Sequence, residues 1–422
     1  MTSRHGFAEA LDVLRIRDYR YFLCSRFFAT LATQMQTLVI SWQIYQLTRD
    51  PLALGLIGLV EAVVFIGFAL YAGHMSDGHE KRRIILVTQA VMAGCAVALL
   101  ALSGRQDLRP AWIYGIVAVT GLARSFMWPA SFSYSELKVP KAIYSRAATM
   151  NSTAWEVGSI AGPAVGGILY AWKGPRLAYT VIMILTVAAM CFSGLMGPQP
   201  PAPDSGDHST KGFWSGVRFV FSQPIILSAL SLDMFAVFFG GVYAILPIFA
   251  DRLRVGARGL GWLRAAPSAG AIVMAIYQAY RPPFARVGRT LLAAVGCFGA
   301  SLIAFALSKS FWLCCTLLAL SGMADNISVV VRASIVQAYT PNPLRGRVSS
   351  VNGIFIGSSN EIGAFESGLA AKLLGTVPSV IFGGVMTLFT VGIVLWASPA
   401  LRQMRWERRP SAPDTGSVSV EA

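Results

Sequence analysis

Long apolar runs alternate with short polar segments along the whole of this 422-residue chain. Most runs reach about 20 residues, the length that a helix needs to cross a hydrocarbon layer roughly 30 Å thick. The pattern therefore predicts an all-α integral membrane protein with twelve transmembrane helices. We place the predicted spans at residues 21–47, 53–72, 84–104, 111–135, 147–172, 177–197, 224–250, 259–279, 290–308, 311–338, 348–373 and 377–398.

Composition and charge support this class. Hydrophobic residues make up 55% of the chain and charged residues 13%, against about 25% charged residues in soluble domains. The formal net charge of +15 suits a membrane protein, because cytoplasmic loops carry an excess of Lys and Arg, so we expect no nucleic-acid partner. The loops on the side of the two termini hold more than twice as many Lys and Arg residues as the opposite loops. We therefore expect a multi-pass protein of the inner (plasma) membrane with both termini in the cytoplasm.

The chain also divides into two similar halves. Gly121-Leu-Ala-Arg124 recurs as Gly322-Met-Ala-Asp325, and further matches follow at the same offset. This repeat carries the fourth span onto the tenth in the same orientation, which predicts two pseudo-symmetric six-helix bundles. The expected units are an N-terminal bundle (1–197), a cytoplasmic linker with an interfacial helix (198–223), a C-terminal bundle (224–400) and a disordered cytoplasmic tail (401–422).

The loop after the second span reads Gly73-His-Met-Ser-Asp77, and a basic cluster follows it. This motif resembles the signature loop of the major facilitator superfamily, and the resemblance implies the fold of that superfamily. In the family, the glycine lets helices approach closely and the aspartate pairs with basic groups or a helix N-terminus to close the cytoplasmic side. A basic loop with an incidental acid is the alternative interpretation. The implied gate residues are Gly73, Asp77, Lys81, Arg82 and Arg83.

The fifth span carries a glycine motif that resembles the antiporter motif of the same superfamily. Three of its glycines are spaced by four residues and form a smooth stripe for close helix contact, while the proline removes a helix hydrogen bond. Generic packing of small residues is the alternative, but the resemblance implies export. The motif residues are Gly158, Gly162, Pro163, Gly166 and Gly167.

Residues 320–370 resemble a narrower branch of the superfamily, the enterobactin (siderophore) exporter-like branch. The motifs are Gly322-Met-Ala-Asp325, Arg345-Gly-Arg347 and the segment from Ser359 to Gly368. The branch implies a secondary active transporter that exports a small organic solute, siderophore or drug-like, by proton antiport. An uptake symporter and a lipid flippase are alternatives, and a membrane receptor or scaffold is the alternative outside transport.

Ionisable groups inside spans are costly, which makes them functional candidates. Arg124 and Asp325 occupy equivalent positions of the repeat with opposite charge, in helices that line the central cavity in the family. We expect them to face each other or to share a substrate, with pairing to near neighbours as the alternative. The candidate cavity residues are Arg124, Asp325, Arg332, Gln36, Asp233 and Asn360. The candidates for proton coupling are Glu61, Glu361 and Glu366.

Other kinds of chemistry lack the residues they need. The six cysteines lie in apolar segments without a CxxC pair and the four histidines lie outside the spans, so we expect no metal site and no cofactor. No clustered nucleophile and base suggests an enzyme, and no Gly-Lys dipeptide offers a phosphate-binding loop. The first apolar run is too long for a removable signal peptide. The expected partners are a small-molecule substrate, protons and the lipid bilayer, and we expect a monomer.

Overall fold

The computed structural model describes residues 11–404, apart from residues 106, 141–142, 199–209, 282–283 and 342–343. Within these residues the regular structure is helical, with no strand. The helices are α1 (Arg17–Thr48), α2 (Pro51–Gly78), α3 (Lys81–Leu102), α4 (Pro110–Lys138), α5 (Tyr144–Gly194), α6 (Thr210–Ser222), α7 (Pro224–Phe239), α8 (Leu246–Arg252), α9 (Gly256–Ala279), α10 (Val287–Leu307), α11 (Phe311–Tyr339), α12 (Arg345–Leu374), α13 (Thr376–Ala397) and α14 (Pro399–Gln403). Short 3₁₀ turns lie at Leu11–Arg15 and Val242–Ile245.

Local sequence signals explain several helix boundaries. Proline occupies the first turn of α2, where its missing N–H costs nothing, and Asp50 accepts a hydrogen bond from the backbone N–H of Leu52. Gly174, with φ of 72°, divides α5 into two helical segments. Gly375, with φ of 93°, separates α12 from α13. These positive φ angles suit glycine, which has no Cβ to clash with the backbone.

The predicted spans all fall on helices, but with one correction. The seventh span was expected to be continuous over 224–250, whereas α7 ends at Phe239 and a 3₁₀ turn precedes α8. Eight segments of the described chain are long and apolar enough to cross a membrane, and one of them contains the fifth and sixth predicted spans. Helices α1, α4 and α12 are more polar, so the count of twelve crossings stays a prediction.

The two halves, α1–α5 and α7–α13, meet at one end of the molecule. We call the end with residues 48–51 and 252–256 the closed end, and the end with residues 78–81 and 339–345 the open end. The largest cluster of buried apolar side chains lies toward the closed end and joins both halves, for example through Leu38 and Leu260. The clusters toward the open end are each confined to one half, such as those around Tyr134 and Ile335.

Glycines permit the contact between the halves. The Cα of Gly55 on α2 is 2.5 Å from the position that a Cβ at Gly368 on α12 would take. A Cβ at Gly261 on α9 would likewise lie 2.6 Å from the carbonyl oxygen of Pro163 on α5. Side chains at these glycines would force the backbones apart, so small residues set the spacing at the closed end.

The first half is also tied together at the open end. Lys138 at the end of α4 donates to Asp18 Oδ2 at 2.7 Å, and the backbone N–H of Gly197 donates to Asp18 Oδ1 at 3.1 Å. The hydrogen bond from Lys138 holds the pKa of Asp18, which precedes the first predicted span, below its usual value. This carboxylate therefore links α1, α4 and the chain after α5.

The glycine stripe of the fifth span packs against α1. A Cβ at Gly162 would lie 2.8 Å from Gln34 Cβ and 2.9 Å from the carbonyl oxygen of Leu31. Gly158 and Gly166 similarly face Thr30 and Met35. The stripe thus brings two helices of the first half into backbone contact.

Replacing Gly162 with leucine should destabilise the protein, because the added side chain meets α1 at once. We expect a cost of about 1–3 kcal/mol, seen as a lower midpoint of thermal unfolding in detergent. Gly94→Leu is the matched control, since no atom lies within 4 Å of a Cβ at Gly94. Equal losses in the two variants would contradict the packing argument.

Candidate transport site

A charged pair lies inside the first half. Glu61 on α2 and Arg124 on α4 form an ion pair, with Arg124 Nη1 donating to Glu61 Oε1 at 3.2 Å. Gly121, one turn before Arg124, faces α2, and a Cβ there would make an ordinary contact at 3.8 Å from the Cα of Glu61. Arg124 thus pairs with a neighbouring helix of its own half.

The second half adds an acid and a base to this pair. The carboxyl of Glu361 on α12 lies within electrostatic reach of the carboxyl of Glu61 across the interface. Gly58 permits the contact, since a Cβ at that position would lie 2.7 Å from the carbonyl oxygen of Glu361. Arg264 on α9 lies within electrostatic reach of both acids, and its Nη1 donates to the carbonyl oxygen of Tyr243 at 3.4 Å.

The resulting seam cluster, as we call Glu61, Arg124, Arg264 and Glu361, draws its members from four helices and from both halves. Two carboxylates and two guanidiniums balance formally when every group is ionised. A proton or a charged solute that enters therefore changes the net charge at the point where the halves meet. Because charges interact strongly away from bulk water, such a change alters the energy of the contact.

Asp325 lies apart from Arg124. Its charge acts on Tyr243 and on Glu156, a carboxyl of α5 in the other half. No ion pair with a described residue is formed by Asp325. The direct Arg124–Asp325 pair is thus not present in this conformation, and the near-neighbour alternative describes Arg124.

Two predicted cavity residues pair with each other instead. Arg332 on α11 and Asp233 on α7 form an ion pair inside the second half, with 5% and 7% of their side chains exposed. In this conformation the two charges pair with each other, so a role in holding substrate charge stays a prediction. The hydropathy pattern could not reveal this ion pair, since its two partners are far apart in sequence.

The remaining polar candidates make local hydrogen bonds. Gln36 is buried and donates to Thr120 Oγ1 at 3.5 Å, which links α1 to α4. Asn360 is exposed and donates to the carbonyl oxygen of Ile356 in its own helix at 2.9 Å. Glu366 lies 3.5 Å from the hydroxyl of Ser367, which donates to it, and outside the seam cluster. Gln36 therefore makes a contact between two helices, and its place in a cavity stays a prediction.

The predicted gate residues lie at the open end. Lys81 is buried and donates to the backbone carbonyl oxygens of Ser76 and His79, at the end of α2. Arg82 donates to the carbonyl oxygen of Gly194 at the end of α5, and Arg83 pairs with Glu80 at 2.7 Å. The Asp77 side chain lies outside the described residues. Gly73 faces open space, so no close helix approach is seen there.

The closed end carries ion pairs between the halves. Asp251 on α8 accepts from Arg49 Nη1 at 2.7 Å and from the Tyr45 hydroxyl at 3.0 Å. Lys372 on α12 pairs with Asp50 at 3.0 Å. Between described residues, the ion pairs that join the halves all lie at this end.

The predicted antiporter motif contacts both halves. Its stripe faces α1, whereas Gly167 lies directly against the backbone of Ala257 at the start of α9. Pro163 stays within α5, and its carbonyl oxygen faces Gly261. The motif therefore lies where relative motion of the halves must be accommodated.

Comparison with known proteins places this chain in a family. The family model described as "Transmembrane secretion effector" matches residues 8–417. The chain belongs to this family of the major facilitator superfamily. Enterobactin exporter EntS of Shigella boydii serotype 18 is 24% identical over 394 residues, covering 92% of this chain and 93% of that protein. EntS of Escherichia coli O139:H28 matches with the same identity and coverage.

Solved structures show the same fold. A bacterial homolog of the human lysosomal transporter Spinster, inward-facing and unoccupied, has a TM-score of 0.70 at 14% identity, covering 93% of this chain and 99% of that chain. The nucleoside transporter NupG has a TM-score of 0.72 at 10% identity, covering 90% and 99%. The family membership makes this chain a multi-pass membrane transporter of small molecules rather than an enzyme. The predicted family and fold class are thereby confirmed.

The sequence prediction leaves out two residues of the site. Arg264 belongs to the seam cluster, and the charge of Asp325 acts on the carboxyl of Glu156. Their rarity in an apolar helix was the available signal. Their partners could not be found from the sequence, because these depend on how each helix is rotated about its axis.

Breaking the buried pair of the second half should be costly, whereas replacing both partners should not. We expect Asp233→Leu alone to destabilise the protein by about 3–5 kcal/mol, because the Arg332 charge stays buried without a partner. Adding Arg332→Met should recover most of this loss. Thermal unfolding and solute transport are the measurements, and a stable double variant that transports no solute would instead indicate a substrate contact.

Proposed function

We propose that this transporter exports a small organic solute in exchange for protons, by alternating access between its two halves. The seam cluster is the observation that carries the proposal. A proton-coupled carrier needs titratable groups whose surroundings change as the halves move. Glu61 and Glu361 meet this requirement, because each comes from a different half.

Electrostatics supplies the coupling. Two like charges about 4 Å apart repel by roughly 4 kcal/mol at an effective dielectric constant near 20. Arg124 and Arg264 offset part of the repulsion between Glu61 and Glu361. A proton on either acid removes it altogether and so favours contact between α2 and α12, while loss of that proton favours their separation.

This coupling gives a cycle with the direction of an antiporter. We take the open end to face the cytoplasm, as the excess of basic loops predicts. A proton then leaves to the cytoplasm, the solute binds from the same side, and the halves rock to open the closed end. Outside, the solute leaves and a proton binds, which favours the return. Each proton supplies about 2.3 kcal/mol per 100 mV and about 1.4 kcal/mol per pH unit.

The proposal includes the features that the motifs imply. Asp77 with Lys81, Arg82 and Arg83 latches the cytoplasmic side, and residues 158–167 form the flexing contact. The transporter acts as a monomer in the inner membrane, with both termini cytoplasmic and the domain boundaries predicted from the sequence. Its solute is siderophore-like or drug-like, because the relatives that it matches export enterobactin.

Everted membrane vesicles test the direction and the coupling. Acidifying their lumen should drive accumulation of a transported solute from a panel of siderophores and dyes. Glu361→Gln should lower this acid-driven accumulation at least about ten-fold, because the seam loses a titratable group at the interface. Exchange of labelled for unlabelled solute at equal pH should persist in the same variant.

Glu366→Gln is the matched control, since its carboxyl lies outside the seam cluster. It should retain acid-driven accumulation. Acid-driven accumulation that survives in Glu361→Gln would contradict the proposed coupling. Solute release on acidification would indicate a symporter, and indifference to pH would fit a flippase.

The latch assignment predicts a transport defect without loss of the protein. Asp77→Asn should insert into the membrane at the wild-type level but export solute several-fold more slowly, because the carboxylate charge is lost. Asp107→Asn is the control, because Asp107 is an exposed acid at the closed end. An efflux rate in Asp77→Asn equal to that of the wild type would contradict the assignment of Asp77 to a latch.

A further inference from the structure

Arg26 on α1 lies between two tryptophans. Its guanidinium carbon is 5.6 Å from the ring centroid of Trp128 on α4 and 5.6 Å from that of Trp155 on α5. The two rings meet edge to face, with centroids 6.1 Å apart and planes at 90°. Arg26 Nε donates to Asn151 Oδ1 at 3.3 Å. Three helices therefore position one guanidinium.

The charge of Arg26 has no acidic partner among the described residues. Arg124 and Arg332 each pair with a carboxylate, whereas the hydrogen bond from Arg26 goes to a neutral amide. Its terminal nitrogens make no hydrogen bond to a described residue. A cation inside a helix bundle is costly without an anionic partner, so a ligand that brings a negative charge would be bound favourably here.

Along α4, the cluster lies between the seam cluster and the open end. Trp128 follows Arg124 by four residues on α4, which places both on one face, with Trp128 about 6 Å closer to the open end. The Trp128 side chain is 56% exposed. The uncovered part of this indole, beside a positive charge, is suited to stacking with a flat ring.

We propose that Arg26, Trp128 and Trp155 form a substrate subsite for a planar aromatic ring that bears a carboxylate or another anionic group. The ring stacks on Trp128, and the anionic group receives hydrogen bonds from the guanidinium of Arg26. Trp155 and Asn151 hold that guanidinium in place. The subsite rests on the proposed function, because it names the class of solute that enters the transport path.

Equilibrium dialysis with the purified protein in lipid nanodiscs tests the subsite. The probe is labelled 2-naphthoate, and two analogues separate its features: decahydro-2-naphthoate keeps the charge without the aromatic ring, and 2-naphthamide keeps the ring without the charge. We expect 2-naphthoate to bind at least about ten-fold more tightly than either analogue, since a charged hydrogen bond and ring stacking both contribute.

Variants assign the binding to these residues. Arg26→Gln should weaken 2-naphthoate binding about ten-fold and abolish its advantage over the amide. In Trp128→Leu, 2-naphthoate should bind no more tightly than decahydro-2-naphthoate but still more tightly than 2-naphthamide. Arg105→Gln and Trp112→Phe, at the closed end, are the controls and should bind like the wild type. Thermal unfolding verifies that each variant is folded.

Two results would overturn the subsite: equal binding of the three compounds to the wild type, or unchanged 2-naphthoate binding in folded Arg26→Gln. The second would leave Arg26 and the tryptophans as a clamp between helices. If Arg26→Gln does not fold, binding of the three compounds to the wild type and to Trp128→Leu tests the subsite. Acid-driven accumulation of another solute without naphthoate binding would refute the subsite alone, and naphthoate binding without acid-driven accumulation of any solute would refute the antiport alone.

Discussion

The close approach of α2 and α12 is the contact on which the rest of the transport site depends. Gly55 and Gly368 let the backbones touch, and Gly58 leaves space for the backbone of Glu361. Only at this spacing does the Glu361 carboxyl reach Glu61. The glycines therefore allow the halves to meet, and the two acids place titratable groups at that contact.

The two kinds of charged pair in this protein have different roles. Arg332 and Asp233 lie within one half and are almost fully buried, so they move together whatever the halves do. The seam acids come from different halves, so their separation depends on how the halves are arranged. Buried pairs inside a unit serve its integrity, whereas charges shared between units are available for switching.

The sequence predicted the helices of this protein better than the side-chain contacts between them. An apolar run of suitable length reports a helix in lipid, so the spans and the superfamily motifs were recognisable. Hydropathy carries little information on rotation about the helix axis or on which neighbour a charge meets, so the Arg124–Glu61 pair and the burial of Arg332 were not foreseen. The interruption after Phe239 was missed because the sequence stays apolar through it.

The basic loop at the open end has a consequence for how its variants behave. Lys81 covers main-chain oxygens at the C-terminus of α2, and Arg82 covers one at the C-terminus of α5. Positive side chains at these positions satisfy orphan carbonyls and oppose the negative end of the helix dipole. Neutralising either residue would fray a helix end as well as weaken the proposed latch. Folding yield and transport rate should thus fall together in Lys81 and Arg82 variants, whereas the exposed Arg83 separates the two effects.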